Sequence, residues 1–495
     1  MAESRNSGRA LVIASVMAST AMIAIEMTIV STAMPQIATQ LGGLDLYSWV
    51  FSSFLLAQTA MTVVFGKLAD LFGRKPVMLV GIAIFLAGSL LAGFAWSMPA
   101  MIAFRLIQGI GAGAIQPVAM TIVGDLYPAH ERGKVQGYLA SVWAVSAVVG
   151  PVVGGFIIHA LSWAWIFWMN VPIGLAATAG FIAFLHEKPG HRRPSIDIAG
   201  AALFTVAVAA LMIALTDAGA SAGRHALYAC AVCAIASVLF VIQERRAAEP
   251  MISFALWSRR PIAATNASTL LSGMVLMGVT TFLPIYVQGV LQRSPVVAGM
   301  ALTVMMVGWP VGATISARLF RRYNLRSILV VGSVFIPAGG VVFALMGVDS
   351  APLTAAFGSL VMGFGMGLSA TAALVLIQEL VEANQRGSAT ASNLFSRNLG
   401  STLGATVFGA VFNFGLAHAK QIGAVTPEQL RAALDASAQK LGAAADTGVR
   451  VALQQSLHLT FAGVLGVSIA LFLLAMLVPS VVIRHKREVT TPVAH

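Results

Sequence analysis

The chain has 495 residues, 58% of them hydrophobic and only 10% charged, with a formal charge of +12. A soluble protein carries roughly a quarter charged residues, so the composition excludes a soluble enzyme and describes a polytopic membrane protein. The positive charge does not indicate nucleic-acid binding, because the basic residues are dispersed among short loops and form no single basic face.

Apolar windows of about 20 residues predict fourteen spans, at 11–34, 47–65, 77–96, 99–123, 137–160, 163–185, 196–216, 225–242, 262–286, 297–317, 327–347, 352–377, 390–417 and 457–483. The N-terminus, with Arg5 and Arg9 before an apolar stretch, superficially resembles a secretion signal. The stretch is too long for a signal core and contains Glu26, so it reads as an uncleaved first span. The N-tail and every second loop hold 22 of the 30 Lys and Arg residues. That asymmetry places both termini in the cytoplasm and requires an even number of spans. Cys230 and Cys233 lie inside an apolar run without further ligands and read as buried, inert thiols rather than a redox or metal site.

The chain repeats internally. Gly109, Gly111 and Gly113 recur as Gly363, Gly365 and Gly367; Asp125 as Glu379; Arg132-Gly133 as Arg386-Gly387; and Gly150 as Gly404, all at an offset of 254 residues. Lys67 and Lys75 recur as Arg318 and Arg326 at an offset of 251, with Arg321 in place of Asp70. The expected architecture is all-α: a six-helix lobe over 1–190, two inserted spans over 191–250, and a second six-helix lobe over 251–495. Repeated halves that rock about a midplane site are a common plan for secondary transporters. The one long outer loop, about 418–456, contains the capping box Thr426-Pro427-Glu428-Gln429. An apolar stripe at Leu430, Ala433, Leu434 and Leu441 follows, predicting a short external helix.

Glu26 is the most informative residue. It lies ~22 Å along the first span at 1.5 Å per residue, slightly beyond the middle, where an acid marks a functional site by default. It suits a group that takes and releases protons; a structural acid fixed to a neighbour is the alternative. Arg105 lies ~9 Å below the outer end of the fourth span, at a similar depth. Depth alone does not establish a bond between them. Arg397 is deep in the thirteenth span, either lining a cavity or bonding backbone carbonyls. Gly66 and Gly73 flank a tight loop carrying Lys67, Asp70, Arg74 and Lys75. Ser146, Gly150 and Gly154 form a small-residue ridge for close helix contact, with Pro151 a potential kink and Gly155 beside it. Met22, Phe54, Gln108, Trp143, Trp309 and Arg397 are candidates for an adaptable substrate cavity. No metal cluster, catalytic constellation or phosphate-binding loop is present in the sequence, and no cofactor is expected.

Several stretches resemble one family. Gly66-x-Leu-Ala-Asp70-x-x-Gly73-Arg74-Lys75 is similar to the loop between the second and third spans of major facilitator superfamily transporters. Residues 26 to 35, Glu-Met-Thr-Ile-Val-x-x-Ala-Met-Pro, resemble the first-span motif of the fourteen-span drug:proton antiporters, which usually have Asp at the first position. Arg105-x-x-Gln108-Gly109 resembles the fourth-span motif linked there to proton transfer. Gly150-Pro151-x-x-Gly154-Gly155 resembles the fifth-span motif of exporting members. Ser162-Trp163-Ala164-Trp165-Ile166-Phe167 through Asn170-x-Pro172 resembles the start of the sixth span, where the family commonly has Arg in place of Ala164. Trp163 and Trp165 are expected in the interfacial aromatic belt. The resemblance implies a non-enzymatic, proton-coupled exporter of lipophilic or cationic drugs in the cytoplasmic membrane. Glu26 and Arg105 would couple protons, and Gly66, Asp70, Gly73, Arg74 and Lys75 would form a cytoplasmic latch extended by Asp125, Glu131 and Arg132. The partners it implies are the lipid bilayer, protons, small substrates and a periplasmic adaptor protein. A dedicated lipid or metabolite exporter, a proton-coupled importer and a non-transporting receptor are the rival readings.

Overall fold

The structure is a computed structural model describing residues 2–42, 46–187, 197–220, 224–247, 257–320, 322–421 and 447–479. The described residues form fifteen α-helices. They are α1 (Ala2–Leu41), α2 (Tyr47–Phe72), α3 (Arg74–Gly93), α4 (Met98–Leu126), α5 (Ala129–Ala160), α6 (Ala164–Trp168), α7 (Asn170–Phe184), α8 (Ile198–Ala220), α9 (Arg224–Arg246), α10 (Arg260–Ile285), α11 (Pro295–Leu319), α12 (Leu325–Ala344), α13 (Pro352–Glu379), α14 (Arg386–Gln421) and α15 (Thr447–Met476). Among the described residues, twelve helical segments are long and apolar enough to cross a membrane.

Local chemistry sets the helix ends. Ser97 and Ser294 accept from the amides of Ala100 and Val297, and Asn324 accepts from Ser327 N at 2.7 Å, so three helices open on side-chain caps. Pro284 lies near the end of α10, which passes directly into a π-helical turn at Tyr286–Val290. The helices outrun the apolar windows because a window registers only the hydrocarbon part. α5, with 32 residues, is ~48 Å long, against a hydrocarbon core of ~30 Å.

The described helices gather around two main apolar cores, one mainly in each half of the chain, and the helices around each core make one lobe. One core is built from residues such as Met22, Phe54, Phe85, Ile115 and Phe181, the other from Val279, Tyr286, Phe343, Met366 and Phe461. The pair α8–α9 sits against both lobes, as Phe204 and Phe240 pack with Val63 and Val64 of α2 and with Phe395 of α14.

Several expectations change. α15 begins at Thr447, not near residue 457. Its extra turns carry Arg450, which donates to Val290 O at 2.7 Å and Val348 O at 2.9 Å, tying the helix to neighbouring connections. α14 continues to Gln421, past the expected loop start, and the capping box at Thr426 and its apolar stripe lie outside the described residues. Cys230 and Cys233, expected as buried thiols, are exposed and half-buried respectively. The reason is that α9 is peripheral, with Leu227, Tyr228, Ile235 and Val238 turned outward beside it. Trp163, expected in an interfacial aromatic belt, is buried and donates its indole N–H to Gln40 at 2.6 Å, whereas Trp165 is exposed.

Candidate functional site

Glu26 and Arg105 meet in the first lobe. The carboxylate is 0% exposed and the arginine 1%, with Arg105 Nη1 2.5 Å from Glu26 Oε1. Asn170, the first residue of α7, donates to the other carboxylate oxygen at 2.6 Å. Arg105 also donates to Gln108 Oε1 at 2.6 Å and to Val50 O at 3.3 Å, and its guanidinium lies 4.3 Å from the centre of the Phe54 ring. Ser89 of α3 closes the cluster. Gln108 and Asn170 donate to its hydroxyl, which donates to Phe167 O at 2.8 Å.

The helices reach this closeness through small residues. A Cβ on Gly88 would stand 2.7 Å from the Gln108 Cα, so glycine there lets α3 bring Ser89 against α4. The break between α6 and α7 at Met169 puts Asn170 at a helix start beside Glu26. Within the cluster the Asn170 Oδ1 has no hydrogen-bond partner among the described residues. Arg105 must be paired, since a buried guanidinium without counter-charge is very costly.

A second constellation closes one end of the bundle. Asp70, near the end of α2, accepts from the backbone amides of Gly387 at 2.8 Å and Ser388 at 2.7 Å and from the Ser388 hydroxyl at 2.8 Å. A carboxylate thus meets the first turn of α14, where unpaired amides and the helix dipole favour negative charge. Gly66 and Gly387 permit the crossing, because a Cβ on Gly66 would stand 2.9 Å from the Gly387 carbonyl oxygen. Arg74 pairs with Asp125 at 2.9 Å, lies 3.5 Å from Asp70, and donates to Ala383 O at 2.5 Å. Two further bridges run between the lobes, Asp125–Arg386 at 3.0 Å and Arg132–Glu379 at 2.6 Å. Asp125 and Glu379 are repeat equivalents, as are Arg132 and Arg386. The bridges are therefore one interaction made twice, crosswise. Burial lowers the Arg132 guanidinium from its ordinary value, and the Glu379 carboxylate raises it again. Glu131, expected to extend the network, is exposed on α5.

A family profile described as Major Facilitator Superfamily matches residues 16–405. The chain belongs to the major facilitator superfamily. It is 36% identical over 393 residues to Multidrug resistance protein 3 of Bacillus subtilis (strain 168), covering 79% of this chain and 77% of that one. It is 32% identical over 416 residues to Multidrug transporter protein MdtP of the same organism, covering 83% and 76%. The fold is similar to the crystal structure of the human organic anion transporter MFSD10 (TETRAN), with a TM-score of 0.65 at 15% identity, covering 94% and 99%. At that identity the likeness shows the fold alone. As a major facilitator the protein is a transporter, not an enzyme.

The other residues singled out in the sequence lie partly at these two constellations and partly elsewhere. Gly73 has φ of 96° and is the residue before α3, a backbone that favours glycine. Glu187 caps the helix beyond it, accepting from Arg74 N at 2.8 Å and Lys75 N at 2.9 Å, while Lys75 Nζ donates to Ile182 O. Gly150 and Gly154 are buried on α5, and Gly150 faces Thr28, whose hydroxyl donates to Ser146 O at 3.1 Å. The small-residue ridge thus holds α5 against α1 two residues from Glu26. Pro151 and Gly155 lie in α5, with their side chains outside the described set. Met22 and Phe54 are fully buried in the first core, Gln108 belongs to the Glu26 cluster, and Trp143 is half-buried. Trp309 and Arg397 line a common cavity in the second lobe. No cluster of three or more metal-ligating side chains occurs among the described residues.

Three participants carried no assigned role in the sequence. Asn170 was visible only as part of a helix-start motif, although an amide donor is the natural neighbour of a deep acid. Ser89 is one of many small residues in an apolar run. Glu187 lies more than a hundred positions from the helix start it caps, and the available signal was an α3 start with no side-chain cap of its own.

Proposed function

We propose that this transporter is a proton-coupled exporter of lipophilic drugs, working by alternating access across the cytoplasmic membrane. The observation that carries the reading is the burial of Glu26 between Arg105 and Asn170. An acid held in hydrocarbon between a cation and an amide can change protonation state without losing its partners. With the carboxylate ionised, Arg105 and the Asn170 amide N–H both donate to it. With the carboxyl protonated, rotation of the Asn170 amide turns the unpartnered Oδ1 toward the new O–H. Protonation also removes the counter-charge of Arg105. A local proton event is thereby tied to α4, whose far end carries Asp125 and the bridge to Arg386.

In this reading the chain crosses the membrane fourteen times, with α6 and α7 forming one broken span. Both termini are cytoplasmic, and the Asp70 end is the cytoplasmic latch, shut in this state. A proton arriving from outside neutralises Glu26 as the cargo leaves. The lobes then part at the latch, and the proton is released inside. The names of the two Bacillus subtilis relatives support drug efflux.

The test is uptake into inverted vesicles or proteoliposomes under an imposed proton gradient. The probes are ethidium, a lipophilic cation, and the neutral dye phenylnaphthylamine, with native protein compared to Glu26→Gln at matched amounts. Gradient-driven accumulation should collapse in the variant while downhill exchange of dye persists. Equal gradient-driven accumulation in both would remove Glu26 from coupling.

A further inference from the structure

The two lobes treat an arginine deep in a helix differently, and only Arg105 is fully buried while Arg397 is half-buried. Arg105 in the first lobe is matched by Glu26. Arg397 in the second lobe has no ion pair and no side-chain hydrogen bond with any described residue. The sequence offers it none nearby: within α10 to α15 the sole carboxylate is Glu379, the last residue of α13, which is engaged by Arg132. Arg397 sits ~16 Å along α14 from Arg386 at 1.5 Å per residue, about halfway through a hydrocarbon core of ~30 Å. A cation at that depth requires a counter-charge or a wet cavity.

Arg397 borders a small cavity. Ser268, Thr269 and Ser272 of α10, Trp309 of α11 and Ser369 of α13 line it with Arg397, and its volume is about 20 Å³. That is room for a single water. Ser268 and Ser369 spend their hydroxyl protons on their own helices, but the Ser272 hydroxyl and the Trp309 indole N–H make no hydrogen bond among the described residues. Arg397, Trp309 and Ser272 therefore line one space, and none of their polar side-chain groups has an acceptor among the described residues.

We propose that this cavity is an anion subsite for cargo: Arg397, Trp309 and Ser272 receive a single carboxylate, sulfonate or phosphate group on an otherwise apolar molecule. The inference deepens the export reading and rests on it, naming amphiphiles with one negative group as one class of substrate. In the state seen here the cavity is too small for such a group, so the cargo enters when the lobes part. Trp309 offers a ring face to the apolar body while Arg397 holds the charge. A cationic cargo is disfavoured at this point of the pathway.

The test uses two dyes of one skeleton, anilinonaphthalene sulfonate and its neutral relative phenylnaphthylamine. Proteoliposome transport under a proton gradient is measured for native protein, Arg397→Gln and Arg397→Lys. Binding of the sulfonate is measured in parallel by calorimetry in nanodiscs of zwitterionic lipid, with empty nanodiscs as blank. Arg397→Gln should lower sulfonate transport and binding about tenfold or more, the scale of one lost charged hydrogen bond. Phenylnaphthylamine transport should stay within about twofold, and Arg397→Lys should restore part of the sulfonate signal. An equal fall for both dyes would make Arg397 a structural residue and overturn the subsite. Native protein that moves phenylnaphthylamine but neither moves nor binds the sulfonate would also overturn it, with export intact. Arg397-dependent binding without transport of either dye would uphold the subsite and sink the export reading. Sulfonate binding abolished by added phosphatidylglycerol would assign the cavity to a lipid headgroup and overturn the cargo assignment.

Discussion

Replacing Asp70 with Asn isolates the charge in the latch while keeping its size. Asp70 is 4% exposed at its side chain and accepts three hydrogen bonds from Gly387 and Ser388 at the first turn of α14. Asn retains one acceptor oxygen but turns an amide N–H toward donors, so at least one charge-assisted bond is lost together with the charge–dipole attraction. Charged hydrogen bonds contribute about 1.5–3 kcal/mol, and a carboxylate at a helix start up to about 2 kcal/mol. These terms overlap, and a combined loss of about 2–3 kcal/mol shifts a two-state balance roughly 30- to 150-fold. A latch closed about 100 to 1 would move close to parity. The assay is a distance distribution between spin labels at Lys67 and Glu382, on opposite lobes at the latch, after Cys230→Ser and Cys233→Ser. Lys134→Gln, an exposed charge on α5, is the control. The closed peak should lose about half its population in Asp70→Asn and none in the control. A distribution unchanged by Asp70→Asn would refute the reasoning.

Two other outcomes follow from the same geometry. Arg132→Glu and Glu379→Arg should each open the latch and lower transport, because each leaves a like-charged pair at 2.6 Å spacing. The double exchange should recover most of the closed population, read with the same labels. In the Glu26 cluster, Arg105→Ala leaves a buried carboxylate without its cation, a loss of about 3–5 kcal/mol. Arg105→Gln combined with Glu26→Gln should be less destabilising than Arg105→Ala alone, as measured by thermal unfolding in detergent.

Much of this arrangement was legible in the sequence, in proportion to how locally it is encoded. The apolar windows located the long helices, because hydrocarbon thickness sets the length of an apolar run, but missed the polar turns such as the start of α15. The 254-residue offset identified Asp125 with Glu379 and Arg132 with Arg386. It did not say that each acid faces the other lobe's arginine, since a repeat encodes equivalence and not the axis relating the copies. Depth placed Glu26 and Arg105 at one level, while their contact depended on α1 and α4 facing each other. Gly124 and Gln378 make the same point. They are repeat equivalents, and Gln378 fills the space a Gly124 side chain would occupy, donating to Met120 O at 3.1 Å. A glycine and a glutamine look unrelated until the fold sets them side by side.

The crosswise bridges have a consequence for ancestry. Each lobe presents an acid and, seven positions later, an arginine, and each lobe's acid meets the other's arginine. A surface that complements a rotated copy of itself is what joins two identical subunits about a dyad. A six-helix half with these residues carries both partners of the crosswise bridges. In a tandem chain each position of the shared surface has its own codon. The dyad can then decay one residue at a time, as at Gly124 and Gln378, without any change having to satisfy both sides at once.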